Sequence, residues 1–253
     1  MDTFIRGETI DLCVPDEDSV KIWYKWFNDL YTCEFLDQGI YPNTYEKQLK
    51  YWREMGPDRM CFLVVPKFPE DKCKLPIMSP KISLQKPIGV CSLSGINMYQ
   101  RRCTFALVIG NKIDHPDRKI WSMEAKALIT EHAFDRLGVR RVESGQALPL
   151  KHWQAKQIIF GYHMEGIKRE AFIKGDEADD VMISGCILRD YRELKAFRGG
   201  SIWPGKEVVR KLMDIIPDPG TIENLGAFIR QEKKINADYI RDHENRLRVF
   251  RKP

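Results

Sequence analysis

The order of strands and helices predicted between residues 86 and 172 constrains the fold of this chain more than any other feature. Short apolar runs bounded by turn residues predict strands, and apolar residues spaced along one face predict a helix. In chain order the elements are strands at 87–97 and 103–110, a helix at 121–137, a strand at 139–146, a short helix that ends at 160–162, and a closing segment at 163–172. They follow one another without gaps, so the fold prediction depends mainly on this region.

This order of elements resembles the GNAT superfamily of acyl-CoA N-acyltransferases, especially its branch of ribosomal-protein and amino-sugar acetyltransferases. The resemblance covers roughly residues 5–197 and is dense only from 86 to 172. It implies an α/β (α+β) fold: a GNAT-like mixed, mostly antiparallel central sheet flanked by helices.

The composition changes after Gly199 and Gly200, where two helical stretches follow, at about 206–215 and 221–246. We therefore expect a GNAT-like acyltransferase domain over residues 1–198 and a helical, basic C-terminal extension over 199–253. Residues 230–253 contain eight basic and four acidic side chains, a balance of +4. Such a tail is either a nucleic-acid contact or a solvated helix face with internal charge pairs.

The resemblance implies acetyl-CoA, or another acyl-CoA, as the cofactor. In the family a glycine-rich loop before the long helix binds the pyrophosphate of coenzyme A, but the matching stretch here, 117–124, contains no glycine. Either Arg118 and Lys119 bind the phosphates by charge, or the pocket has lost or changed its cofactor. Ser122 is the expected N-cap of the helix. The residues expected to bind the cofactor are Val108, Ile109, Arg118, Lys119, Ile120, Trp121, Ser122 and Met123.

The sequence departs from the family at its usual catalytic positions. Thr104 replaces a glutamate of the strand before the loop, Gln157 stands where many relatives have a tyrosine acid, and Leu150 stands nearest to a common asparagine. The remaining catalytic candidates are Glu143 and His152. Glu143 could deprotonate an ammonium group, or it could be a salt-bridged strand glutamate. His152 has a suitable intrinsic pKa, but it also fits a surface position at a helix start.

Substrate contacts are expected from the N-terminal helices and from the loop between the two central strands. Trp26, Asn28 and Tyr31 resemble the W-x-N-D helix end that borders the acceptor pocket in related enzymes. The alternative is that the aromatic stripe to which Trp26 belongs is plain core. The full set of expected substrate residues is Trp26, Asn28, Tyr31, Asn97, Tyr99 and Thr104.

The leading hypothesis is an enzyme that moves an acetyl group from acetyl-CoA to a primary amine, of a protein N-terminus or an amino sugar, by direct attack. One alternative keeps the fold but modifies a nucleic acid or its base. Another is a catalytically silent GNAT-like module that binds a partner. The seven cysteines are scattered and lack metal-site spacing, so we expect reduced thiols and no metal. Without a long apolar run or a secretory signal pattern, we expect a cytoplasmic protein and no membrane contact.

Overall fold

The computed structural model describes residues 1–67, 86–111, 113 and 115–216, in which eight strands form one sheet. The strands are β1 (Thr3–Arg6), β2 (Ile10–Cys13), β3 (Met60–Pro66), β4 (Gly89–Asn97), β5 (Arg102–Ile109), β6 (Arg141–Ala147), β7 (His163–Lys174) and β8 (Glu177–Ile187). The α-helices are α1 (Glu17–Trp26), α2 (Tyr45–Arg53), α3 (Arg118–Asp135), α4 (Lys151–Lys156), α5 (Leu188–Phe197) and α6 (Lys206–Ile215). Two 3₁₀ turns, Leu148–Leu150 and Gln157–Phe160, flank α4.

The strands lie in the order β1-β2-β3-β4-β5-β6-β8-β7, and neighbours are antiparallel except β5 and β6. These two parallel strands pair over three residues each, Arg102–Thr104 with Arg141–Glu143. β5 then continues to Ile109 and β6 to Ala147 outside this pairing, so the two strands diverge. The predicted α/β fold with a mixed, mostly antiparallel sheet flanked by helices is confirmed.

Helices cover both faces of the sheet because side chains alternate between the faces of each strand. In β3, Phe62 and Val64 join the core beneath α3, whereas Leu63 and Val65 join a second core with the aromatic face of α1. α3 lies across the middle of the sheet, and most of its residues are therefore buried. The site-bearing strands are therefore held from both sides.

Several helix and strand boundaries follow from local chemistry. Asp16 caps α1 in a reciprocal capping box with Ser19, and the Thr44 side chain caps α2 by accepting the N–H of Lys47. β1 pairs outside β2 and forms the edge of the sheet, so β2 is an inner strand. Residues 10–13 lead from the sheet to α1. The four residues of β1 carry too little hydrophobic pattern to predict a strand.

The start of α3 differs from the prediction. The helix begins at Arg118 with Asp117 at the N-cap position, so Ser122 lies in its second turn and does not cap it. Basic residues at a helix start interact unfavourably with the helix dipole. Arg118 and Lys119 are such residues, so the predicted helix began only after them. The stretch 117–124 is thus the beginning of the helix, and the loop before it holds Gly110.

Residues beyond Gly199 extend the main core where the structure describes them. α6 spans the predicted 206–215, and Ile202 and Val209 are fully buried in the same core cluster as α3. The division of the chain at residue 198 stays a prediction. The second predicted helix, at 221–246, and the basic tail lie outside the described residues.

The six cysteines of the described residues are unpaired and buried, as predicted for reduced thiols. The seventh, Cys73, lies outside them. No described helix has the length and apolar character that a bilayer span requires.

Candidate active site

A cavity of about 430 Å³ lies where α3 begins beside the ends of β4 and β5. This volume falls within the range of small-molecule sites. Besides these elements, Tyr31 from the loop after α1, Trp153 and Lys156 from α4, and Met213 from α6 contribute to its wall. Six separate parts of the chain therefore converge on it.

The described wall of the cavity is positively charged. It contains three cationic side chains, Arg118, Lys119 and Lys156, and no carboxylate. The first N–H groups of a helix lack acceptors within the helix and attract anions. Asp117, at the N-cap position, makes no side-chain cap to these groups. The arrangement suits a phosphorylated ligand.

The divergence of β5 from β6 opens one edge of β5 toward this region. Because strand N–H groups point alternately to the two neighbours, every second residue after Thr104 presents its N–H to the open side. Val108 and Ile109, the predicted cofactor-binding strand residues, belong to this stretch, and Ile109 lines the cavity. An open strand edge can donate hydrogen bonds to a ligand carbonyl.

The turn after β5 is built on a glycine. A side chain at Gly110 would place its Cβ 2.0 Å from Cγ of Trp26, so only glycine lets this ring pack on the backbone. Trp26 Nε1 donates to Oδ1 of Asn111 at 3.2 Å, and Nδ2 of Asn111 donates to the Pro87 carbonyl at 3.0 Å. Trp26 is thereby a buried support for Asn111, which lines the cavity.

Most of the predicted cofactor residues lie together. Ile109, Arg118, Lys119, Trp121, Ser122 and Met123 line the cavity. Val108 is the neighbour of Ile109 in β5, and Ile120 is buried in the main core. Their assignment to a cofactor stays a prediction.

The two predicted catalytic residues lie apart from the cavity wall. Glu143 Oε1 accepts from Nε of Arg141 at 2.8 Å and lies 3.7 Å from Nη1 of Arg102, across the β5–β6 pairing. Those contacts are the ones expected of a salt-bridged strand glutamate. His152 is exposed in the first turn of α4, where its neighbour Trp153 reaches the cavity. Catalysis by either residue remains a prediction.

The predicted substrate residues are dispersed. Tyr31 lines the cavity, whereas Asn28 binds the backbone of Tyr24 and Asn43 and so ties α1 to the start of α2. Asn97 and Tyr99 lie at the turn between β4 and β5, about 23 Å along the hairpin from the cavity end at roughly 3.3 Å per residue. Thr104 pairs with Glu143 in the adjoining strand.

Six wall residues were not anticipated from the sequence: Ile88, Asn111, Ile113, Trp153, Lys156 and Met213. Trp153 and Lys156 have the i, i+3 spacing of one helix face, which was the available signal for their joint position. Nothing in the sequence pointed to Met213, since α6 lies outside the family resemblance.

Behind the cavity, α3 carries a lysine with no exposure to solvent, Lys126. Its Nζ donates to Oε1 of Gln157 and lies 4.1 Å and 3.6 Å from the ring centroids of Phe105 and Tyr162. Burial lowers the pKa of this ammonium well below its ordinary value. Gln157 in turn donates to Oε1 of Gln154 at 2.8 Å. The position expected for a tyrosine acid is thus occupied by an amide within a buried polar network.

The comparisons with known proteins concern the fold. No family model matches the chain, and no curated protein matches it either. A spermidine N-acetyltransferase from Vibrio cholerae, solved with CoA and spermine, is similar with a TM-score of 0.61 at 13% identity, over 74% of this chain and 99% of that one. A GCN5-related N-acetyltransferase from Brucella melitensis gives 0.56 at 16% identity, over 78% and 83%. The microcin C7 self-immunity acetyltransferase MccE, solved with acetyl-CoA and AMP, gives 0.57 at 13% identity, over 72% and 94%. The chain has the fold of the GNAT acetyltransferases.

Proposed function

We propose that this protein is an acyl-CoA-dependent N-acyltransferase that acetylates a primary amine. The observation that carries the proposal is the cationic cavity at the start of α3, beside the open edge of β5. The similar solved structures that hold CoA or acetyl-CoA support the same ligand class. The acyl group and the cytoplasmic location are part of this proposal.

The residues present fit coenzyme A. Arg118, Lys119 and Lys156 would bind its phosphates together with the first N–H groups of α3. The apolar wall, which includes Trp121 and Met123, would cover the less polar part of the molecule. The bound acyl-CoA supplies an activated thioester.

The protein's part in the reaction would be positioning and polarisation. N–H groups on the open edge of β5 would donate to the thioester carbonyl oxygen, where negative charge develops. The neutral amine would attack the carbonyl carbon of the thioester. A C–N bond would form and the C–S bond would break. The proton of the amine leaves with the thiol. Positioning of the two reactants can supply a large share of such an acceleration.

We propose an acceptor with a single amine, such as a protein N-terminus or an amino sugar. Exposed Tyr31, 68% accessible at the cavity, offers an aromatic surface for such an acceptor. The possible nucleic-acid contact of the tail belongs to residues 230–253 and remains a separate expectation.

Thermal unfolding with increasing acetyl-CoA tests the ligand. Ligand at a hundredfold its Kd should stabilise the protein by about 2.7 kcal/mol. The double variant Arg118→Ala/Lys119→Ala should lose most of this gain, whereas Lys50→Ala, an exposed lysine of α2, should keep it. Absence of any shift at millimolar acetyl-CoA would refute the proposal.

Turnover is tested by mass spectrometry of a peptide with a free N-terminus and of glucosamine, each incubated with acetyl-CoA. A mass gain of one acetyl group on either acceptor supports enzymatic transfer. Binding of acetyl-CoA without transfer to any amine would favour the catalytically silent alternative, in line with the amide at Gln157.

A further inference from the structure

Arg210 of α6 contacts the residue that precedes α3. Its Nη2 pairs with Oδ1 of Asp117, and its Nη1 binds both carboxylate oxygens of Glu207 at 2.8 and 2.7 Å. The Asp117 side chain is only 16% exposed, so the pair is partly shielded from solvent. An element outside the family resemblance therefore reaches the edge of the proposed phosphate site.

Asp117 behaves unlike the other polar residues at helix starts. Asp16 and Thr44 have extended backbones with ψ of 174° and 159°, and each side chain accepts an N–H of its own helix. Asp117 has ψ of 2° and caps nothing. Its backbone N–H donates to Nδ1 of His115, and its carboxylate is directed to Arg210. Aspartate is among the preferred N-cap residues, so this exception needs a cause.

We propose that Arg210 is a positioning residue of the acyl-CoA site, which holds the Asp117 carboxylate away from the first N–H groups of α3. Those donors, on Lys119 and Ile120 in the usual capping geometry, then remain for phosphate. A released carboxylate, with the Asp117 backbone turned from its ψ of 2° to the extended form of Asp16 and Thr44, would occupy them and would also repel the phosphates. This inference rests on the proposed function.

The position of Arg210 is fixed by the docking of α6. Glu8 Oε2 accepts from the Lys206 N–H at the start of α6 at 2.8 Å and from Nε1 of Trp203 at 2.9 Å. Val209, next to Arg210, is fully buried, and Met213 one turn later lines the cavity. The helix thus presents its guanidinium to Asp117 from an anchored backbone.

Calorimetric titration with CoA tests the proposal in four proteins: wild type, Arg210→Ala, Arg210→Ala/Asp117→Ala and the control Lys211→Ala. Lys211 is the exposed neighbour of Arg210 and has the same charge. Arg210→Ala should weaken CoA binding roughly tenfold, the effect of a competing cap. Removing the carboxylate in the double variant should restore most of the affinity, and Lys211→Ala should bind as wild type.

Two results would overturn the inference while leaving the proposed function intact. One is unchanged CoA affinity in Arg210→Ala. The other is a double variant as weak as Arg210→Ala, which would mean that Arg210 acts on the ligand or on the fold. Wild type that does not bind CoA would instead refute the proposed function itself.

Hydrogen exchange without ligand gives an independent reading. In Arg210→Ala, the amides of Lys119 and Ile120 should exchange more slowly than in wild type, because Asp117 now caps them. The double variant should return them to the wild-type rate or faster. Equal rates in all three proteins would contradict the proposal, whatever the outcome with CoA.

Discussion

Lys126 lies in surroundings that a charged side chain does not favour. An ammonium group is rarely buried without a carboxylate, and here Nζ contacts one amide oxygen and two ring faces. The aromatic faces favour the cation, while burial favours the neutral amine. Burial is the main cause that lowers the pKa of Lys126.

Replacement of Lys126 by methionine should change how stability depends on pH. In wild type, the Lys126 amine binds its proton less tightly in the folded protein than in the unfolded chain. The free energy of unfolding of wild type therefore rises with pH toward the ordinary lysine pKa. The variant lacks this dependence. The extra free energy of unfolding of Lys126→Met relative to wild type should therefore decrease from pH 7 to pH 10, by up to about 1.4 kcal/mol per pH unit. Urea unfolding across that range measures it.

An exposed lysine serves as the control. Lys168→Met in β7 should follow the wild-type profile in parallel. If Lys126→Met also runs parallel to wild type, Lys126 is charged in the folded protein, and the ring faces outweigh burial.

At the scale of elements, α3 is attached to the sheet by a buried carboxylate. Glu124, with no solvent exposure, accepts the backbone N–H groups of Glu8 and Thr9, the latter at 2.8 Å, and the Thr9 hydroxyl. Burial raises the pKa of this carboxyl, and the donors counteract that shift. The contact links the helix to the turn between β1 and β2. Glu8 of this turn also accepts a hydrogen bond from the Lys206 N–H at the start of α6.

Glu124→Ala should destabilise the protein by about 3 kcal/mol, since the buried N–H and hydroxyl of Thr9 and the part-buried N–H of Glu8 lose their acceptor. Glu193→Ala, at an exposed position of α5, should change stability by less than about 0.5 kcal/mol. Chemical unfolding of both variants makes the comparison. Similar small losses in both would mean that water replaces the carboxylate.

The elements themselves were largely predictable, because apolar runs and caps such as Thr44 are local signals. The start of α3 was not, since Arg118 and Lys119 oppose the helix dipole and Ser122, which follows them, is a typical N-cap residue. Two of the three cations in the cavity wall, Arg118 and Lys119, were predictable from the resemblance in the order of elements. Lys156 is brought near them only by folding. Met213 and Arg210 required knowledge of where α6 docks.

At the scale of the whole molecule, the sheet consists of two antiparallel parts joined at one parallel pair. β1 to β5 form one part and β6 to β8 the other, and three residues of each strand connect them. The Arg102–Glu143 ion pair crosses the junction, and α3 packs on both sides of it. The divergence that opens the site therefore also leaves only three residue pairs between the two parts of the sheet.

Native-state hydrogen exchange should detect this junction. Arg102→Ala removes a half-exposed partner of an ion pair worth about 0.5 kcal/mol, so amides of the three-residue pairing should exchange about twofold faster. Amides in the middle of β3 and β4 should be unaffected. Equal acceleration in all strands would instead indicate that the sheet opens as one unit.

The buried cysteines have a practical consequence for assays of the proposed reaction. Burial raises the pKa of Cys61 to about 11 and those of Cys103 and Cys186 to about 12, so these groups are almost entirely thiols at neutral pH. Thiolates, not thiols, react with disulfide reagents. In the proposed reaction, a chromogenic disulfide added to the folded protein should therefore report free CoA released at each turnover over a low protein background. A blank without acetyl-CoA accounts for Cys73 and gives the number of protein thiols that respond.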